Sequence, residues 1–174
     1  NPPFSLKSWS NGVYDTDGDA LADMPANGRD YGRFKGFGIP SEKNGDYAFL
    51  LHIIRSLKSK GKAAVILPHG VLFRGNAEAE IRKNLIKRGY IKGIIGLPAN
   101  LFFGTGIPAC LIIIDKENAE SRKALFMMDA SKGFMKDGPK NRLRDQDIHK
   151  IVDTFNKQEE VDKYSRIVPI SEIE

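Results

Sequence analysis

Four consecutive residues, Asn1-Pro2-Pro3-Phe4, set an amide side chain, two prolines and an aromatic ring side by side. Proline fixes its own φ and drives the residue before it into an extended conformation, so Asn1 and Pro2 are both held stiffly. The segment presents two fixed acceptors, the Asn1 side-chain carbonyl and the Pro2 backbone carbonyl, with the flat face of Phe4 beside them. A planar aromatic amine fits such a site: its two N–H donors meet the two acceptors and its ring stacks on Phe4. In an amine of this kind, adenine N6 for instance, the lone pair is delocalised into the ring and is a poor nucleophile. Acceptors that hold both N–H bonds favour a more tetrahedral nitrogen and free the lone pair to attack. The chemistry rests on positioning and electrostatics, with no covalent intermediate. The competing reading of the four residues is a stiff turn.

Other residue clusters carry less. The stretch "GRFKGFG" (32–38) imitates a Gly-rich nucleotide loop, but no apolar strand precedes it and Pro40 follows, which makes it a surface loop. In "ANLFFGTGIP" (99–108), Phe102 and Phe103 either line a base pocket or pack beneath their own loop, and Gly104 and Gly106 serve a tight turn better than a phosphate site. Arg74, Arg82, Lys83 and Lys87 are either phosphate contacts or solvated surface charges, and Arg142 and Arg144 divide the same way. His69, after a strand ending at Pro68, has no evident partner and reads as a loop histidine. His52, His69 and His149 lack ligand spacing, so no metal site is expected. The one cysteine, Cys110, lies in the apolar run "PACLIII" and reads as a buried, reduced thiol of a cytoplasmic protein.

The elements that must position these residues follow from periodicity. Residues 5–45 are rich in glycine and carry isolated aromatics at Trp9, Tyr14, Tyr31, Phe34 and Phe37. An irregular segment much beyond about 15 residues is uncommon in a compact domain and is functional or disordered. From Asp46 the pattern tightens. Residues 46–60 carry the apolar stripe of an amphipathic helix, with Gly61 as its stop, and 76–89 form a second helix with Asn76 as candidate N-cap. Strands are expected at 63–67, 91–96, 110–115 and 124–129, all apolar on both faces as in the interior of an α/β sheet. A helical pattern over 145–158 and a short segment at 165–173 follow. Alternating β and α units imply an α/β fold with a mainly parallel sheet.

Composition sets outer bounds. The chain has 174 residues, 41% of them apolar and 28% charged, enough for one domain with a core. No window approaches the roughly 18 uninterrupted apolar residues of a membrane span, and no signal pattern opens the chain. A net charge of +5 is compatible with a polyanionic partner and with an ordinary solvated surface alike.

Beyond the opening motif, "GDYAFLLH" (45–52), "AAVILPHGVLFRG" (63–75), "IRKNLIKRGYIKGIIGLPANLFFGTGIPACLIIIDK" (81–116), "DASKGF" (129–134) and "NRLRDQDIHKIVDTF" (141–155) occur in order. Together they resemble the modification subunit of type I restriction–modification systems, a family of N6-adenine DNA methyltransferases, over nearly the whole chain. The resemblance implies a Rossmann-like methyltransferase fold in which the strand at 110–115 runs antiparallel, and S-adenosylmethionine as methyl donor. It further implies double-stranded DNA with a flipped adenine as substrate, and specificity and restriction subunits as partners. Asn1, Pro2, Pro3 and Phe4 then form the catalytic motif. Phe4, Tyr31, Phe34 and Phe37 are expected beside the flipped base, on a flexible substrate-side loop spanning 5–45, ahead of an α/β core portion at 46–174. The family's Gly-rich cofactor turn precedes the catalytic motif and is not found in these residues. The expectation is therefore the C-terminal part of a catalytic domain, carrying the C-terminal half of the sheet with one antiparallel strand, and inactive alone. Two rival functions stay open: a methyltransferase acting on a protein glutamine amide, and a non-catalytic module for assembly or DNA docking.

Overall fold

A computed structural model describes residues 2–10 and 33–173. Helix α1 (Asp46–Ser56) is followed by β1 (Lys62–Pro68), α2 (Ala77–Lys87), β2 (Ile91–Gly96), β3 (Ala109–Asp115) and β4 (Ala124–Asp129). A small hairpin of β5 (Met135–Asp137) and β6 (Lys140–Arg142), helix α3 (Asp145–Lys157) and β7 (Ser165–Pro169) complete the fold. The four expected strands and both N-terminal helices are present. Helix α1 is shorter than its apolar stripe: Leu57 turns extended, and Lys116 Nζ donates to the carbonyls of Ile54 and Leu57, both at 3.0 Å, satisfying the end of the helix well before Gly61. Asn76 occupies the N-cap position of α2 without a capping bond from its side chain.

The five-stranded sheet has the order β1-β3-β2-β4-β7. β1 and β2, joined through α2, run the same way and leave a gap one strand wide. β3 returns antiparallel into that gap, pairing Val65 with Ile112 on one side and Ile94 with Ile112 on the other. This is the antiparallel strand that the resemblance implied. β2 and β4 form the one parallel ladder of this sheet, and β7 lies antiparallel on the far side of β4. The expectation of a mainly parallel sheet with one reversed strand is thus corrected: β3 and β7 both oppose β1, β2 and β4. The physical reason is plain. An apolar run reports burial on both faces, and burial is the same whichever way a strand runs.

Successive side chains leave a strand on opposite faces, and the two faces build two cores. Val65, Leu67, Ile112 and Ile114 pack with Leu50, Leu51 and Ile54 of α1 and with Ile81 and Leu85 of α2. On the other face Ile95, Phe126 and Met128 pack with Ile151 and Phe155 of α3, and the rings of Phe126 and Phe155 meet edge to face at 5.7 Å. Cys110 is buried in the first core as expected.

Part of the expected loop at 5–45 is also core. Phe34 and Phe37 are 4% and 5% exposed and join the first cluster. Trp9 stands edge-on to Phe34 at 5.6 Å, Arg88 lies over the Phe37 ring at 4.7 Å, and Asn84 Nδ2 donates to the Phe37 carbonyl at 2.7 Å. Residues 33–45 are thus a packed strap over α2 rather than a loose loop, because two large aromatics spaced three apart bury more surface than their glycine-rich context indicates. Tyr14 and Tyr31 lie outside the described residues. Among the described residues, no helix is long and apolar enough to cross a membrane.

Candidate active site

Asn1 lies outside the described residues; Pro2, Pro3 and Phe4 are described. The chain turns sharply at Ser5, whose φ of +50° is a conformation that a β-carbon disfavours. Two contacts with the start of α1 hold this turn. Ser5 N–H donates to Asp46 Oδ1 at 2.7 Å, and Gly45 N–H donates to the Leu6 carbonyl at 2.9 Å. A β-carbon at Gly45 would come within 2.9 Å of Trp9 Cβ and 3.3 Å of the Leu6 oxygen, so only glycine admits the segment so closely.

Phe4 faces the loop between β2 and β3. Its ring stands edge-on to Phe102, with centroids 5.6 Å apart. Pro2, Phe4, Phe102, Phe103, Gly104 and Thr105 line an open cleft of about 330 Å³. Phe103 is 93% exposed at its rim. Of the two readings of the paired phenylalanines, the structure favours the pocket wall: Phe102 packs against Phe4, and Phe103 packs beneath nothing. Gly104 has φ +77° and makes the turn at the loop's tip, as its turn reading required.

The loop is strapped from outside. Lys140 Nζ donates to the carbonyls of Phe102 (2.7 Å) and Thr105 (3.1 Å). Asn141 donates from its backbone N–H to Asn100 O (2.9 Å) and from Nδ2 to Ala99 O (2.7 Å). His69 N–H reaches the Pro108 carbonyl at 3.0 Å. The cleft therefore sits where loops leave the C-terminal ends of β1, β2 and β4, where open α/β sheets place their ligands. Neither Lys140 nor the β5–β6 hairpin was anticipated; the "DG" at 137–138 was its one turn signal.

Behind the motif lies a compact ionic group. Arg74 Nη2 contacts Asp46 Oδ2 at 2.6 Å, and Arg74 Nε contacts Glu78 Oε2 at 2.8 Å. Asp46 is fully buried and Glu78 nearly so. Burial raises the Glu78 carboxyl above its ordinary value, and the Arg74 charge opposes that rise. Arg82 Nη1 caps the carbonyls of Val71 (3.1 Å) and Arg74 (2.8 Å), and Tyr47 Oη donates to Val71 O at 2.7 Å. Arg74 and Arg82 are thus neither phosphate contacts nor solvated charges; both serve internal partners. Lys83 and Lys87 stay exposed on α2. Arg142 pairs with Asp137 and Arg144 with Asp147 at the start of α3.

Of the aromatics expected beside the base, Phe4 is at the cleft and Tyr31 is outside the described residues. Phe34 and Phe37 are sealed in the α1–α2 core, which corrects their expected role. The stretch "RFKGFG" carries these two buried rings. Among the described residues no group of histidine, cysteine and acidic side chains has the geometry to hold a metal ion.

The family model for N-6 DNA methylases matches residues 1–174. The chain belongs to that family. It is 32% identical over 169 residues to the methylase subunit of the type I restriction enzyme MpnII from Mycoplasma pneumoniae, covering 97% of this chain and 29% of that protein. It is also 32% identical over 177 residues to the MjaVII methylase subunit from Methanocaldococcus jannaschii, covering 99% of this chain and 29% of the relative. Among solved structures, the type I restriction–modification methyltransferase subunit from Streptococcus thermophilus superposes with a TM-score of 0.83 at 39% identity, covering 99% of this chain and 34% of that one. The chain thus spans about a third of the length of these relatives. The relatives are type I restriction–modification methylase subunits, the proteins that the quoted motifs resembled.

Proposed function

We propose that this chain forms the base-holding side of a centre that transfers a methyl group to adenine N6 in DNA, within a type I modification subunit. The observation that supports this most is the cleft in which Phe4 and Phe102 meet edge to face beside the Pro2 backbone. An adenine reaches such a cleft by leaving the base stack, at a cost of a few kcal/mol that edge hydrogen bonds and stacking offset. Phe4 supplies the stacking face, Phe102 buttresses it, and Phe103 shields the open rim from water. The Asn1 side chain and the Pro2 carbonyl accept the two N6 protons. S-adenosylmethionine, when bound, would supply the methyl group to the nitrogen lone pair that these acceptors expose, its thioether leaving, and the methylated nitrogen would release one proton to water. No general base is needed, since the methylated amine is strongly acidic.

The methyl donor is a substrate, and the Gly-rich cofactor turn that the resemblance implies is not among the described residues. The outer edge of β1 has no ladder partner among the described residues, and an open edge can accept further strands. In this reading the five strands are the C-terminal half of a Rossmann-like methyltransferase sheet that continues past β1. A specificity subunit selects the DNA sequence, a restriction subunit completes the system, and the protein works in the cytoplasm beside its DNA.

The test is methyl transfer from labelled donor by the complete polypeptide with its specificity subunit, with the product base identified by mass. N6-methyladenine supports the reading. Label found on protein glutamine, or no transfer at all, would overturn it.

A further inference from the structure

We infer that Asp46 is a positioning residue for the catalytic motif, holding Pro2 and Phe4 at the cleft through the Ser5 N–H. The inference rests on the function proposed above and adds to it a residue that touches no substrate. Asp46 opens α1, where a carboxylate ordinarily serves the helix's own first turn. Here both oxygens are directed elsewhere. Oδ1 accepts from Ser5 N–H at 2.7 Å, across 41 residues of sequence, and Oδ2 takes Arg74 at 2.6 Å with the Ser5 hydroxyl at 3.4 Å. A fully buried carboxylate needs its charge paired. Arg74 alone would answer that need, so the Ser5 contact requires its own explanation.

Ser5 supplies it. The residue immediately after Phe4 is held at φ +50°, and such a conformation persists only where its surroundings over-determine it. The charge-assisted bond from Asp46 and the Gly45–Leu6 bond grip the chain on either side of that turn. Arg74 carries the grip onward, because it lies in the β1–α2 connection just ahead of α2 and also contacts Glu78 of that helix. The motif is thereby referenced to α2 as well as α1. In a site that acts through geometry, a displacement of about 1 Å costs on the order of a hundredfold in rate.

The experiment uses the complete polypeptide with its specificity subunit. It measures single-turnover methyl transfer, DNA affinity, melting temperature, and the fluorescence of 2-aminopurine placed at the target adenine. Asp46→Asn keeps shape and loses charge. The expected result is a fall in single-turnover rate of roughly a hundredfold with DNA affinity little changed. The 2-aminopurine signal of the captured base should drop as well. Adding Phe4→Ala to Asp46→Asn should cost much less than the product of the two single effects, because both act through one motif. If Asp46→Asn fails to fold, Gly45→Ala decides: its β-carbon pushes Leu6 and Trp9, and the motif segment with them, away from the start of α1 with the buried charges intact, and should give the same signature. A lowered melting temperature with normal rate and normal fluorescence in the folded variant would overturn the inference, and so would single effects that multiply. Wild-type protein that methylates no adenine would instead remove the functional reading, and the inference with it.

Discussion

At the residue scale, Cys110 and Phe37 give the clearest tests of burial. The Cys110 thiol is pushed up to about 12, chiefly by burial and further by the Asp46 charge. It should resist alkylation at pH 8 in the native state and react once the chain is unfolded. Its native pKa lies above the ordinary value of 9.0, so its contribution to stability is fully present below about pH 9 and is lost as pH rises toward 12. A denaturation midpoint that falls across that interval, and falls less in Cys110→Ala, is the expected observation. Phe37 tests the corrected placement of the aromatics. Phe37→Ala should cost about 3–5 kcal/mol of stability by emptying a buried site. Its effect on methyl transfer in the folded fraction should be small, whereas a base-contact role would show the reverse. The stiffness of positions 2–4 was legible because two prolines constrain the backbone without help. Asp46 was not legible as a partner of Ser5, since a 41-residue separation leaves no local pattern.

At the scale of elements, strand positions were readable and their directions were not. β2 and β4 fall where their apolar runs place them, at Ile91–Gly96 and Ala124–Asp129. The reversal of β3 came from family resemblance, and that of β7 came from neither source. The strap at 33–45 was misread because its glycines outweighed two aromatics whose partners lie on α2 and β2's approach, far away in sequence. The β5–β6 hairpin escaped notice for another reason: its strands are three residues each and mostly exposed. In the structure its Lys140 ties two carbonyls of the Phe102 loop. Lys140→Met keeps the aliphatic stem and removes the donors. Amide exchange at 102–106 should then accelerate, and single-turnover rate should fall by about tenfold, in keeping with two lost charged hydrogen bonds of roughly 1.5–3 kcal/mol each, only part of which is felt in the transition state. Unchanged exchange would show that the loop holds itself.

At the scale of the whole molecule, two features of the described residues, the unpartnered edge of β1 and the lack of a donor cradle among them, make one prediction. The 174 residues alone should not bind S-adenosylmethionine, and calorimetry should record no heat of binding; micromolar affinity would contradict the half-sheet reading. The central claim is that Asn1, Pro2 and Phe4 perform the chemistry of methyl transfer. It is tested most directly by Asn1→Ala in the complete polypeptide with its specificity subunit, comparing the single-turnover rate of transfer from labelled donor with DNA affinity and melting temperature. The account predicts a rate loss of at least about a hundredfold, since the lost acceptor matters most as positive charge develops on N6, with affinity and stability nearly unchanged. Near-normal turnover in Asn1→Ala would contradict it and leave the four residues as a stiff turn.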